Sequence, residues 1–173
     1  MKLWIMGPAD EDEKYAKECY DLVESLGVKD VEFTGRVNVR DYLGKMDFTL
    51  LTSISEGQPL TILESYAAHK PVITTDVGNC RELIYGNEDG FGDAGILTHI
   101  MNIEEIAHAM VNMSINEENR KRMGEAGYKR VNAFYRIDQM KDVYREIYKG
   151  FSDSQNLSWT EEPFKISVHE KTM

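Results

Sequence analysis

Short apolar runs alternate with helical periodicity through the first hundred residues, and this alternation restricts the fold more than any other feature. The runs are Leu3 to Met6, Val31 to Thr34, Phe48 to Thr52, Val72 to Thr75 and Ile96 to Thr98, bounded by Gly, Pro, Asp or Asn. Between the first two, Tyr15, Cys19, Leu22 and Leu26 recur at the spacing of one helix face. Strand and helix taking turns in this way predict βαβ units and a parallel sheet. The runs are continuously apolar rather than alternating, so helices should cover both faces of that sheet. Ligands of such sheets bind in the crevice outside the carboxyl ends of the strands.

From Ile103 the pattern is helical only. Ile103, Ile106, Ala107, Met110 and Val111 mark one helix, Met123, Ala126, Arg130 and Phe134 a second, and Met140, Val143, Tyr144, Ile147 and Tyr148 a third. Residues 1–151 therefore read as one Rossmann-like α/β domain with a helical C-terminal part, and 152–173, with Trp159 and Phe164 among polar residues, as a tail. A strand that starts within three residues of Met1 suggests a piece of something larger. The methionines at helical spacings, Met101, Met110, Met113, Met123 and Met140, are expected in the core.

Composition excludes several classes. Thirty acidic against twenty basic residues leave a formal charge of −10, which repels polyanions and argues against nucleic acid as a partner. No apolar stretch is long enough to span a bilayer, and the opening residues lack a cleavable leader, so the expected location is the cytoplasm. Cys19 and Cys80 stand alone, without zinc or disulfide-framework spacing, and read as buried thiols. Asp10-Glu11-Asp12 resembles a D-x-D metal motif but opens a helix, where acids cap and face the dipole. Gly90-Phe91-Gly92-Asp93-Ala94-Gly95 spells G-x-G-x-x-G, yet a strand follows it instead of a helix. No metal and no cofactor are expected.

The window that carries chemistry runs from Thr52 to Pro71 as strand, polar loop, helix and strand. Pro59 suits a first helical turn and Pro71 forces the helix to end, so it should span about 59 to 69. Its side chains are small or apolar on nearly every face, which predicts burial and leaves Glu64 in need of a partner or a task. A helix start after a Gly-containing loop at the carboxyl end of a parallel strand offers free N–H groups to phosphate. Glu64 lies five residues beyond Pro59, roughly 7.5 Å along the axis, about the reach from a diphosphate to its ribose. Glu56 would stand on the other side of the phosphate, facing whatever group it carries.

The frame Ser-x-x-Glu-Gly-x-Pro-x-x-x-x-Glu-x-x-Ala-x-x-Lys-Pro-Val-Ile, followed by Thr75-Asp76-Val77-Gly78 and Glu82-Leu83-Ile84, resembles the donor half of family 4 retaining GT-B glycosyltransferases. The resemblance extends through Met6-Gly7-Pro8 and Val31 to Val37 upstream, and from Arg122-Met123-Gly124 to Tyr148 downstream. Within the family, Ser55 to Leu60 and Asp76 to Leu83 are most similar to the Pel exopolysaccharide type, which implies UDP-glucose as donor. The resemblance implies the C-terminal half of a GT-B fold, with Glu56 on the donor sugar and assisting the reaction. It further implies Gly57, Gln58, Pro59 and Leu60 on phosphate and sugar, Glu64 on the ribose hydroxyls, and Arg36 with Val37 at the base.

The departures are informative. The family's Arg and Lys on the diphosphate come from a segment ahead of Leu3, and the acceptor-binding N-terminal domain has no counterpart among these residues. The implied first strand of the donor domain is likewise missing, so the chain is expected to bind a UDP-sugar, to meet its glycan acceptor through the missing domain, and to be inactive alone. His69 stands at the family's usual helix-terminating Gly, requiring a left-handed residue or a different cap. Arg81 and Glu82 could reach the cleft or pair on a helix. Two rival readings are a non-catalytic nucleotide-binding or assembly module that kept the fold, and a GT-B epimerase, which the Ser-Glu-Gly-Gln-Pro loop fits less well.

Overall fold

The structure, a computed structural model, describes residues 1–153. They fall into two units, one from Met1 to Tyr135 and another beginning at Arg136. In the first, the elements are β1 (Leu3–Met6), α1 (Glu13–Ser25), β2 (Val31–Gly35), α2 (Arg40–Leu43), β3 (Thr49–Leu51) and α3 (Leu60–Ala67). They continue with β4 (Val72–Thr75), α4 (Cys80–Tyr85), β5 (Gly95–Thr98), α5 (Ile103–Ile115) and α6 (Glu117–Phe134). The described part of the second unit is α7 (Ile137–Asp153). All five expected strands form where the apolar runs lie.

Every strand pair is parallel, but the strands make two sheets rather than one: β1-β2, and β3-β4-β5 with β4 central. All four residues of β4 are buried, whereas those of β3 are half-buried and Ile5 of β1 is 41% exposed. β1 and β3 are each an edge strand of their sheet. Alternation along β4 sends Val72 into a cluster with Ile62, Tyr66, Leu83, Ile84 and Ala126, and Ile73 into a second with Ala109, Met113 and Met123. Helices therefore cover both faces of the three-stranded sheet, as continuous apolar strands require.

Local chemistry fixes the helix ends. The Asp12 carboxylate accepts from the Tyr15 N–H (2.9 Å), so the D-x-D look-alike caps α1. Asn102 and Asn116 cap α5 and α6 in the same manner. At the end of α3, His69 is left-handed (φ 56°), its N–H donating to Tyr66 O while the Lys70 N–H reaches Ser65 O. That is a Schellman closure built on a residue with a side chain. The ring stacks on Tyr128 at 3.7 Å between centroids, and Nδ1 lies 3.2 Å from a Glu125 carboxylate oxygen, contacts that offset the backbone strain. Helix α6 lies so close to α3 that a Cβ on Gly124 would overlap the His69 carbonyl, and one on Gly127 the Tyr66 ring. Tyr66 in turn donates to Leu83 O (3.0 Å), tying α3 to α4.

Arg130 is a charged residue in the core, 1% exposed. Its five N–H donors are fully used: Nε and Nη2 on the Asp89 carboxylate, Nη1 on Leu83 O and Ile84 O, Nη2 also on Gly92 O. This ties the Gly86-to-Gly95 connection to α6 and explains the G-x-G-x-x-G spelling as an anchored turn.

Helix α7 falls in the unit that begins at Arg136, with Met140, Val143, Tyr144 and Tyr148 each more than half exposed. Two expectations are corrected. Met113 and Met123 are buried and Met110 half-buried, but Met101 (80%) and Met140 (51%) are exposed. Cys80 is buried while Cys19 is only half-buried, because α1 buries no residue fully. Most of the expected tail, from 154 onward, lies outside the described residues.

Replacing Asp89 by Asn should lower unfolding free energy at pH 7 by about 3–5 kcal/mol in urea denaturation, because it leaves Arg130 buried without a counter-charge. The Arg130 guanidinium holds the Asp89 carboxyl below the usual carboxylate range. The native advantage over Asp89→Asn should therefore be complete above about pH 4 and shrink as pH falls further and the folded-state carboxylate takes up its proton. An advantage that does not change with pH would contradict this.

Candidate functional site

Two loops at the carboxyl end of the three-stranded sheet build the site. The first runs from Thr52 to Pro59 between β3 and α3, the second from Asp76 to Asn79 between β4 and α4. Three contacts join the first loop to β4 and to the second loop, and one braces the first loop from within. Thr75, 1% exposed at the end of β4, donates its hydroxyl to Ser53 O at 2.5 Å. The Ser53 hydroxyl donates to Glu56 Oε1 at 2.7 Å. The Asn79 N–H donates to Gly57 O at 2.8 Å. Finally, Gly78, at φ 51°, sits against the Glu56 and Gly57 carbonyls so tightly that a Cβ would overlap both. A tight left-handed turn at Gly78 is thus what lets one loop seat the other.

Helix α3 leaves the first loop at Pro59, an extended residue (φ −71°, ψ 117°) whose side chain makes no capping bond. The N–H groups of Leu60, Thr61 and Ile62 donate to no other part of the chain among the described residues. They remain open at the positive end of the helix. Glu56 is half-buried beside them, with no protein partner on Oε2 among the described residues. Glu64 is exposed one turn along α3.

The expectation that α3 is buried on nearly every face fails. Ile62, Ser65 and Tyr66 are buried, but Leu60 is 70% exposed and Thr61, Glu64 and Ala67 also face outward. Apolar content does not report which side is covered: the helix packs on α6 and the sheet through one stripe only. Within that stripe the Ser65 hydroxyl bonds Thr61 O and Thr49 Oγ1, both at 2.8 Å, which fixes the helix to β3.

Arg36 and Val37 follow Gly35 (φ 67°) at the end of β2. Arg36 Nη2 lies 3.7 Å from Glu11 on the loop after β1, both side chains about three-quarters exposed. No hydrogen bond or ion pair joins them to the Glu56 loop among the described residues. Arg81 pairs with Asp76 at the end of β4, while Glu82 lines a cleft elsewhere. That cleft, about 340 Å³, is bounded by Glu82, Asp89, Arg130 and Tyr135, and with every Arg130 donor occupied it offers no free cation. Among the described residues no three His, Cys, Asp or Glu converge on a metal-binding geometry, and no helix is long and apolar enough to cross a membrane.

Residues 1–130 match the family described as glycosyl transferases group 1. The chain belongs to this family. A glycosyltransferase of Methanocaldococcus jannaschii is 29% identical to this group 1 domain over 145 residues, 82% of the chain and 40% of the relative. The N-acetyl-alpha-D-glucosaminyl L-malate synthase of Bacillus anthracis is 32% identical over 129 residues, 73% of the chain and 32% of the relative. The chain thus spans less than half the length of these relatives. Among solved structures, a glycosyltransferase from Rickettsia africae superposes with a TM-score of 0.76 at 20% identity, covering 91% of this chain and 41% of the other. Anabaena HepE in complex with UDP-glucose gives 0.74 at 20% identity, covering 88% and 41%. The group 1 domain therefore has the Rossmann-like parallel α/β fold of GT-B glycosyltransferases.

The role of Gly78 is testable without a ligand. Gly78→Ala should cost about 1–2 kcal/mol for the left-handed residue alone, more with the carbonyl overlap. It should also speed hydrogen exchange at the Asn79 amide, which the native loop protects on Gly57 O. Native-like exchange at Asn79 would show that the loops do not depend on this contact.

Proposed function

We propose that this chain is the donor-binding half of a retaining glycosyltransferase that takes a UDP-sugar, with UDP-glucose the favoured donor. The observation that carries the reading is the uncapped N-terminus of α3 between two carboxylates, Glu56 before it and Glu64 one turn beyond its start. The HepE structures with UDP and with UDP-glucose, on a fold this chain shares, support the donor class. The diphosphate binds the open amides of Leu60 and Thr61, with Gly57, Gln58 and Pro59 shaping the approach. The Glu64 carboxylate accepts from the ribose hydroxyls, Arg36 and Val37 border the base, and Glu56 accepts from sugar hydroxyls.

Chemistry follows from this placement. As the bond between sugar and phosphate opens, negative charge collects on the leaving diphosphate, where oriented amides and the helix dipole stabilise it. A nucleoside diphosphate leaves without protonation, so no general acid is required. Glu56 holds the sugar as positive charge develops on it. Acceptor contacts and the remaining cations come from the half of the enzyme outside these residues, so this chain alone binds donor without transferring sugar, in polysaccharide or related glycan synthesis in the cytoplasm. The doubly wound order 3-2-1-4-5-6 places one strand between the positions of β1 and β3, and the break in the sheet there supports a further parallel strand supplied from the same source.

Calorimetry tests the reading. UDP and UDP-glucose should both bind the native chain weakly, and Glu64→Ala should weaken both by about 10- to 100-fold, the loss of hydrogen bonds to a charged acceptor. Equal heats for the native chain and Glu64→Ala would count decisively against it.

A further inference from the structure

The contact between Ser53 and Glu56 carries a consequence for how the donor's sugar is recognised. An ionised carboxylate only accepts hydrogen bonds, and its two oxygens can rotate among several acceptor geometries unless one is fixed. Here the Ser53 hydroxyl donates to Glu56 Oε1 at 2.7 Å, a short charge-assisted bond. Ser53 itself is not free to move, since its carbonyl receives the buried Thr75 hydroxyl at 2.5 Å from the neighbouring strand. The neighbouring backbone is held too, by the Asn79 N–H on Gly57 O and by the Gly78 contact. Anchored β4, carbonyl, hydroxyl and carboxylate thus form one chain of fixed bonds that ends on the single half-buried acid of the loop. Among the described residues nothing in the protein satisfies Oε2. A phosphate would be repelled there, whereas a hydroxyl donor fits.

We propose that Ser53 is a positioning residue that sets the Glu56 carboxylate to accept from a hydroxyl of the donor sugar, and so governs recognition of the sugar separately from that of the nucleotide. The inference rests on the donor-site reading above. Thr75 serves it through the backbone: its hydroxyl fixes where Ser53 starts, and Ser53 then fixes where Glu56 ends. Removing the Ser53 hydroxyl leaves the Thr75 bond in place, because that bond goes to the main chain. The loop should keep its path while the carboxylate loses its orientation.

The test is calorimetry on the 173-residue chain with two probes, UDP and UDP-glucose, using Ser53→Ala, Ser53→Thr, Glu56→Gln and the double variant Ser53→Ala/Glu56→Gln. Ser53→Ala should weaken UDP-glucose about tenfold and leave UDP within about twofold, the scale of one hydrogen bond to a charged group. Ser53→Thr, which keeps the hydroxyl, should restore most of the UDP-glucose affinity. The double variant should bind UDP-glucose no more weakly than Glu56→Gln alone, because Ser53 acts through Glu56. Equal weakening of UDP and UDP-glucose by Ser53→Ala would mean the hydroxyl supports the loop as a whole and would overturn the proposal. So would unchanged UDP-glucose binding in Ser53→Ala where Glu56→Gln weakens it, or additive losses in the double variant. A native chain that binds neither probe would overturn the donor-site reading itself, and this inference with it, a result distinct from failure at Ser53 alone.

Discussion

Everything at the carboxyl end of the sheet depends on two loops held at main-chain contact. Gly78 abuts the carbonyls of Glu56 and Gly57, where no side chain could stand, and the Asn79 N–H closes the gap to Gly57 O. The path of the first loop decides where α3 begins, and the start of α3 decides which amides are left open. In the proposed phosphate contact, main-chain donors have no side chain to readjust, so its precision would come from what supports the backbone. Buried β4, through Thr75 and the turn that follows it, is that support.

Behind the loops, close packing transmits this rigidity. Gly124 and Gly127 let α6 approach α3 to backbone distance, Tyr66 reaches Leu83 across the core, and Arg130 gathers Asp89, Leu83, Ile84 and Gly92 around one guanidinium. The buried ion pair need not add stability relative to an apolar replacement, but losing one partner strands a charge. Its geometric effect is to hold the end of α4 and the connection to β5 against α6. Helix α4 in turn starts directly after Gly78 and Asn79, the residues that clasp the Glu56 loop.

Much of this was legible in the residues. The five apolar runs locate all five strands, since a buried parallel strand needs a continuous apolar stretch and turn residues around it. Asp12 reads correctly as a cap, and of the two options open to His69, a left-handed residue or a different cap, the chain takes the left-handed one. Orientation was less legible. Apolar content around Leu60, Ile62 and Leu63 suggests a wholly buried α3, but whether Leu60 and Glu64 face outward depends on neighbours that periodicity does not name. The four-residue α2 is too short to show a period, and the division of the strands into two sheets has no local signature because β1 and β3 each pair normally with a neighbour. The roles of Ser53, Thr75 and Gly78 emerge only once two loops distant in sequence are brought together. Ser and Thr near a glycine otherwise describe any turn.

The central claim is that the open amides at the start of α3 receive a diphosphate while Glu64 receives the ribose. The most direct measurement is a nitrogen-15 amide NMR titration of the chain with UDP. The account predicts saturable shifts concentrated on the amides of Gly57, Gln58, Leu60, Thr61 and Ile62 and on Glu64, with the Asn79 amide following them through its bond to Gly57 O. Saturable shifts confined to residues remote from these loops, or no shifts at all, would contradict it.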